Sequence, residues 1–243
     1  MSDRQIQVVP DAARIAVAAA EVILPAAEAA IAARGNFSIA LSGGSTPKTL
    51  YQLLASNSCA THIDWKNWHI YFGDERCVPP AHPDSNFRMA NEALLSEVPI
   101  PPDNIHRMKG EIEPQQAAVE YGEMLKQNFG DGGLDLVLLG MGDDGHTASL
   151  FPNTAALAEK RHRCVANFVE KLGVWRITLT APFINQARQV IVMVSGAGKA
   201  RRLEQVLQGP LDPQNLPIQM IQPGRGHMLW IMDAPAAAMD QSD

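Results

Sequence analysis

Short apolar runs rich in β-branched residues alternate with stretches of helical periodicity along this chain, and that alternation limits the possible fold more than any other feature. Phe37–Leu41, His69–Phe72, Leu134–Leu139, Arg176–Thr180, Val190–Val194 and Met228–Ile231 read as strands. Helical spacing follows the first at Leu50, Leu53 and Leu54, and the fifth at Ala200, Leu203, Val206 and Leu207. Strand, loop and helix in repeated succession predict an α/β fold with a largely parallel sheet flanked by helices. The prolines at 99, 101, 102 and 114, and the Gly209–Pro217 stretch, punctuate loops within a domain rather than linkers. No solenoid-length repeat occurs, so residues 1–243 are expected to form one domain with a frayed tail over 234–243.

The Ala-rich stretch from Ala12 to Ala33 is the one membrane suspect, but Arg14, Glu21, Pro25 and Glu28 interrupt it. It is expected to form one or two soluble helices, broken near Pro25, with an Ala, Val and Ile face on the core. Three cysteines, Cys59, Cys77 and Cys164, lack CxxC spacing and suit reduced thiols in a cytoplasm. No basic-then-apolar leader precedes them, so the expected location is cytoplasmic.

Chemistry concentrates in the loops after the strands. Ser42-Gly43-Gly44-Ser45-Thr46-Pro47-Lys48 joins the first strand to a helix. Two glycines free the backbone N–H groups to face a ligand, Ser45 and Thr46 add hydroxyls, and a helix N-terminus so built suits a phosphate. A plain turn with Ser45 or Thr46 as N-cap, and Pro47 at the first helical position, is equally consistent. GxxxxGK[ST] spacing is absent, so a nucleoside triphosphate is not implied.

After the third strand, Gly140, Gly142 and Gly145 match GxGxxG, but Asp143 and Asp144 would put carboxylates where a pyrophosphate should sit. The same loop offers His146 at the end of a parallel strand, with Asp144 two residues earlier to orient the ring. The other histidines, at 62, 69, 82, 106, 162 and 227, read mostly as structural. Gly73-Asp74-Glu75-Arg76 ends the second strand, and three successive charges there face either solvent or a cleft. Ser85 suits an N-cap for a helix from about Asn86 to Leu95. Lys199 sits near a helix N-terminus, where a cation is poorly placed unless an anion binds too, and Arg176 is either a functional cation or half of a surface ion pair. Neither GxSxG nor HExxH occurs, and Asp143, Asp144 and His146 are too few for a metal site, so no metal is expected.

In order and spacing, these segments resemble the 6-phosphogluconolactonase family, whose relatives include glucosamine-6-phosphate deaminase. The resemblance rests on Leu41–Pro47, Gly73–Arg76, Ser85-Asn86, Gly140–Pro152, Arg176–Thr180 and Gly196–Lys199, with the block ending at Pro152 the most specific. It implies a modified Rossmann-like fold and metal-free, cofactor-free hydrolysis of 6-phospho-D-glucono-1,5-lactone to 6-phosphogluconate in the pentose phosphate pathway. Carried over by position, His146 becomes the general base that activates water, supported by Asp144 or Asp74. Gly43, Gly44, Ser45 and Thr46 become the phosphate and sugar loop, Arg176 and Lys199 the phosphate cations, and Arg76 a substrate contact.

Two alternatives remain open at this stage. Amino-sugar-phosphate deaminases carry a glutamate five residues after the histidine, where this chain has Phe151. A non-catalytic sugar-phosphate sensor would be expected to lose the base or gain a DNA-binding element, whereas His146 is present and no basic helix-turn-helix segment precedes the domain. With 20 Lys+Arg against 26 Asp+Glu, the net charge of −6 opposes long polyanions and anionic membranes but not a small phosphate held by local donors. The expected partner is therefore a phosphosugar lactone, with no nucleic acid and no membrane, on a monomer or small homo-oligomer.

Overall fold

The computed structural model describes residues 4–224 and 226–238. In chain order the strands are β1 (Arg4–Val9), β2 (Phe37–Leu41), β3 (Trp68–Phe72), β4 (Asp74–Arg76), β5 (Leu136–Gly140), β6 (Cys164–Val169), β7 (Val174–Leu179), β8 (Gln189–Val194) and β9 (His227–Asp233). The helices are α1 (Ala12–Arg34), α2 (Ser45–Ala55), α3 (Asn57–Ala60), α4 (Asn86–Ala90), α5 (Pro114–Phe129), α6 (Ala181–Ile184), α7 (Ala200–Leu207) and α8 (Ala234–Ala237).

Six strands form a wholly parallel sheet in the order β1-β9-β8-β5-β2-β3. Its central strands are buried on both faces, which is why β5 reads as an apolar run and β2 as one broken only by Ser38, whose buried N–H and hydroxyl donate to Asp135. From β2 the chain moves outward to β3, whereas from β5 it moves the other way, to β8 and β9. The order therefore reverses between the neighbours β2 and β5. Their two following loops diverge and open a crevice at the carboxyl ends of the strands, the usual ligand position in such sheets.

The expected strand over Arg176–Thr180 exists as β7, but not in the parallel sheet. It pairs antiparallel with β4 and β6 in a separate three-stranded sheet. Gly173, at φ 64°, supplies the tight turn between β6 and β7, so no crossover helix intervenes. Gly73 couples the two sheets, donating to the Leu41 carbonyl and accepting from Leu179 N–H at 2.9 and 2.8 Å. The small sheet thereby swings over the crevice.

Helix α1 runs unbroken through Pro25, contrary to the expected interruption. Proline removes the bond that the Glu21 carbonyl would accept, but Glu21 and Pro25 both lie on the exposed face, where water serves that carbonyl. Meanwhile Ile15, Ala19, Ile23, Ala27 and Ala30 are buried along the other face and hold the helix on the core. By length and hydropathy α1 would pass for a membrane span, yet it packs against α2 and β9.

Three smaller expectations also shift. Helix α2 begins at Ser45 with Gly44 as its cap, so Pro47 is the third helical residue and neither Ser45 nor Thr46 caps. The helix starting at Asn86 turns into a wider π-type turn over Asn91–Leu95. The start of the supposedly frayed tail is the short helix α8, because Asp233 accepts from Ala236 N–H at 2.9 Å; residues 239–243 lie outside the described residues.

Candidate active site

The loop after β2 is pinned from behind. Tyr51 on α2 is fully buried, and its phenol accepts from Ser42 N–H at 2.9 Å while donating to the Ser42 carbonyl at 2.8 Å. Burial pushes the phenol pKa far up, so it stays a donor. Gly43 then passes so close to Asn86 that any Cβ would overlap the amide oxygen, and Gly44 takes φ 107°. Ser42, Gly43 and Gly44 line the crevice. Ser45 and Thr46 occupy the first helical positions instead, where their backbone N–H groups have no intrahelical acceptor.

From the small sheet come Asp74 and Arg76. Asp74 is buried and accepts from Ser149 Oγ at 2.6 Å and Asn86 Nδ2 at 3.1 Å. Its partners are therefore Ser149 and Asn86, while the carboxylate bonded to His146 is that of Asp144. Arg76 stands opposite Arg176 in the β4–β7 register, and both line the crevice. Burial, and after it the neighbouring Arg76 charge, lowers the Arg176 pKa. Neither guanidinium pairs with a carboxylate among the described residues. Like charges facing each other across strands are unfavourable alone, and an anion between the two would relieve that repulsion.

The loop after β5 holds His146. Its Nδ1 lies 2.5 Å from Asp144 Oδ1, and its ring stacks on Phe151 with centroids 4.0 Å apart. A Cβ at Gly142 would overlap the imidazole, so only glycine lets the ring lie there. The loop closes on itself through Gly142 N–H to the His146 carbonyl at 2.9 Å and Thr147 Oγ1 to the Gly140 carbonyl at 2.8 Å. Ala148 follows in the left-handed region at φ 47°, a strained conformation at the crevice wall. The hydrogen bond from His146, with help from Lys171 at 3.3 Å, holds Asp144 well below the usual carboxylate range despite its partial burial. Asp144 is thus an anion that only accepts, which places the imidazole proton on Nδ1. In the neutral ring His146 Nε2 would carry the lone pair, and no hydrogen-bond partner for Nε2 occurs among the described residues.

Lys199 is drawn elsewhere. Its ammonium meets Asp143 Oδ1 at 2.5 Å and is not among the residues lining the crevice. The crevice itself encloses about 190 Å³. Among the described residues, no three His, Cys, Asp or Glu side chains converge as metal ligands. Sequence reasoning passed over Ser149, Tyr51 and the active-site role of Asn86. Asn86 and Ser149 lay inside the motif blocks, but Tyr51 carried no signal beyond an apolar helical position.

The family model for glucosamine-6-phosphate isomerases/6-phosphogluconolactonase matches residues 10–230. The chain belongs to that family. A 6-phosphogluconolactonase from Nostoc sp. is 44% identical over 241 residues, 97% of this chain and 98% of that one. Another from Synechocystis sp. is 46% identical over 214 residues, 85% and 86% of the two chains. The solved 6-phosphogluconolactonase from Trypanosoma cruzi superposes with a TM-score of 0.88 at 29% identity, covering 100% of this chain and 99% of that one. A monomeric glucosamine-6-phosphate deaminase shares the fold, with a TM-score of 0.82 at 17% identity over 97% of this chain and 100% of that one.

Proposed function

We infer that the chain hydrolyses 6-phospho-D-glucono-1,5-lactone to 6-phosphogluconate, with the phosphate at the arginine pair and the lactone carbonyl at His146. One observation carries this reading. The imidazole of His146, bonded at Nδ1 by Asp144, and two guanidiniums with no carboxylate partner among the described residues line the same crevice.

His146 Nε2 takes a proton from water as the oxygen attacks the lactone carbonyl, and Asp144 stabilises the imidazolium that forms. The tetrahedral adduct collapses by breaking the ring C–O bond, and the imidazolium returns its proton to the departing ring oxygen. The product is an open-chain acid, which ionises in water. Arg76 and Arg176 hold the phosphate dianion, with the Gly43–Thr46 backbone N–H groups as further donors. Asp74, locked by Ser149 and Asn86, accepts from substrate hydroxyls rather than steering the base. Lys199 joins the phosphate only by exchanging Asp143 for it.

Phe151 occupies the position where the deaminase relatives carry a glutamate, and it covers one face of the imidazole. No carboxylate stands there to assist ring opening. The enzyme is further proposed to work in the cytoplasm as a monomer or small homo-oligomer, without metal, cofactor, nucleic acid or membrane. In the deciding assay, glucose 6-phosphate dehydrogenase generates the lactone and acid release is followed with and without the protein. Release above the spontaneous rate, unchanged by chelators, is expected. Release at the spontaneous rate, or release of ammonia from glucosamine 6-phosphate, would overturn the assignment.

A further inference from the structure

Glu75 lies between Asp74 and Arg76, is 2% exposed, and does not line the crevice. Its carboxylate is full. Oε1 accepts from Arg76 N–H at 2.8 Å and Asn86 N–H at 2.7 Å, and Oε2 accepts from Phe87 N–H at 2.8 Å and Ser85 Oγ at 3.0 Å. No cation is hydrogen-bonded to it; burial pushes its pKa up, and the four donors oppose that shift. Such burial is costly unless every lone pair is used. Among side chains only a carboxylate accepts from four donors; a glutamine in the same place would turn its own N–H₂ towards the N–H of Phe87.

The four donors belong to two separate segments. One is Arg76 itself, and the others are Ser85, Asn86 and Phe87 at the start of α4. The Asn86 side chain then bonds the Asp74 carbonyl and carboxylate at 3.0 and 3.1 Å and packs on Gly43. The Arg76 guanidinium rests on the carbonyl of Asp84, beside Ser85. Three parts of the crevice wall thus share one buried anchor.

We propose that Glu75 is a positioning residue for anion binding: by tying Arg76 to the start of α4, it sets the arginine pair, Asn86 and the Gly43 backbone at their mutual distances without touching the substrate. The proposal rests on the lactonase reading for its kinetic readout, but not for its binding readout. A purely structural anchor would lower stability and leave affinity alone, whereas a positioning residue changes affinity in protein that is still folded.

The experiment compares the full-length protein with Glu75→Gln, Ser85→Ala, Arg76→Ala and the Glu75→Gln/Arg76→Ala pair. KM and kcat are measured with enzymatically generated lactone, and binding of inorganic phosphate is measured by calorimetry, all well below each variant's melting temperature. Glu75→Gln is expected to raise KM and weaken phosphate binding by about tenfold or more, with kcat changed less than about threefold. Ser85→Ala, which removes one of the four donors, is expected to move both in the same direction by roughly two- to fivefold. The double variant should lose less phosphate affinity than the two single losses combined, because part of what Glu75 sets is the position of Arg76.

Unchanged KM and phosphate affinity in folded Glu75→Gln overturn the proposal, as does full additivity in the double variant. Should Glu75→Gln fail to fold, Ser85→Ala decides alone, and unchanged phosphate affinity there overturns it. If the wild-type protein does not hydrolyse the lactone, the lactonase reading falls while phosphate binding still tests Glu75.

Discussion

The loops leaving β2 and β5 face each other across one crevice but are held by opposite means. The β2 loop is fixed from beneath by a buried neutral phenol, which leaves its Gly43 and Gly44 backbone turned outward. The β5 loop is fixed by its own tight turn and by cations from other elements: Lys171 on Asp144, Lys199 on Asp143, and Arg202 Nε on the Asp143 carbonyl at 2.9 Å. On the proposed function, the β2 loop receives a phosphate and gains from keeping carboxylates away. A loop that orients an imidazole gains from an acceptor beside it, which fixes the ring through Nδ1. On that proposed function, the difference divides the crevice into a binding end and a reacting end.

The sharpest way to break this division is at the base. His146→Asn should lower kcat by about 10²- to 10⁴-fold with KM little changed, measured by the coupled lactone assay. Near-normal turnover would remove His146 from the reaction. Gly142→Ala attacks the same end through geometry, since the added methyl group overlaps the ring. Displacing a catalytic group by about 1 Å costs on the order of 10²-fold, so kcat should fall by that amount in a folded protein.

At the binding end the signature should invert. Arg176→Ala removes the charged donor proposed for the phosphate, worth about 1.5–3 kcal/mol, and should raise KM roughly tenfold to a hundredfold while kcat stays within a few-fold. A loss confined to kcat would mean that Arg176 serves the reacting end instead. Tyr51→Phe leaves the Ser42 N–H and carbonyl without their buried partner, at a cost of about 1–3 kcal/mol in chemical denaturation. Its KM should rise modestly and its kcat should hold.

These contrasts also explain what was legible beforehand. The central strands β2, β5 and β8 were visible because burial on both faces writes largely apolar runs. Strand β1 was missed because it is an edge strand whose first five residues are exposed. Strand β6 was missed because Asn167 interrupts its apolar character; that residue is buried only because Ser149 and Thr154 supply partners. The Asp144–His146 dyad was readable because two residues of spacing suffice to bring the groups together. The Ser149–Asp74 bond joins residues 75 apart, and no local rule exposes it. Lys199 near a helix N-terminus asks for an anion, and in this structure Asp143 of the β5 loop supplies one.

The smallest effect belongs to Lys171, and it tests how much the β5 loop depends on imported charge. Its side chain is 72% exposed, whereas that of Asp144 is 23% exposed. An ion pair with one partner in open water is worth about 1 kcal/mol or less, because solvent and salt screen it. Asp144 keeps its shorter bond to His146 when Lys171 is removed, so the imidazole proton stays on Nδ1. Lys171→Ala should therefore change kcat by less than about fivefold, and the difference should shrink further as salt is added. A tenfold or larger loss that persists at high salt would make the β6–β7 hairpin part of the reacting end. The division between the two loops would then have to be redrawn around three elements.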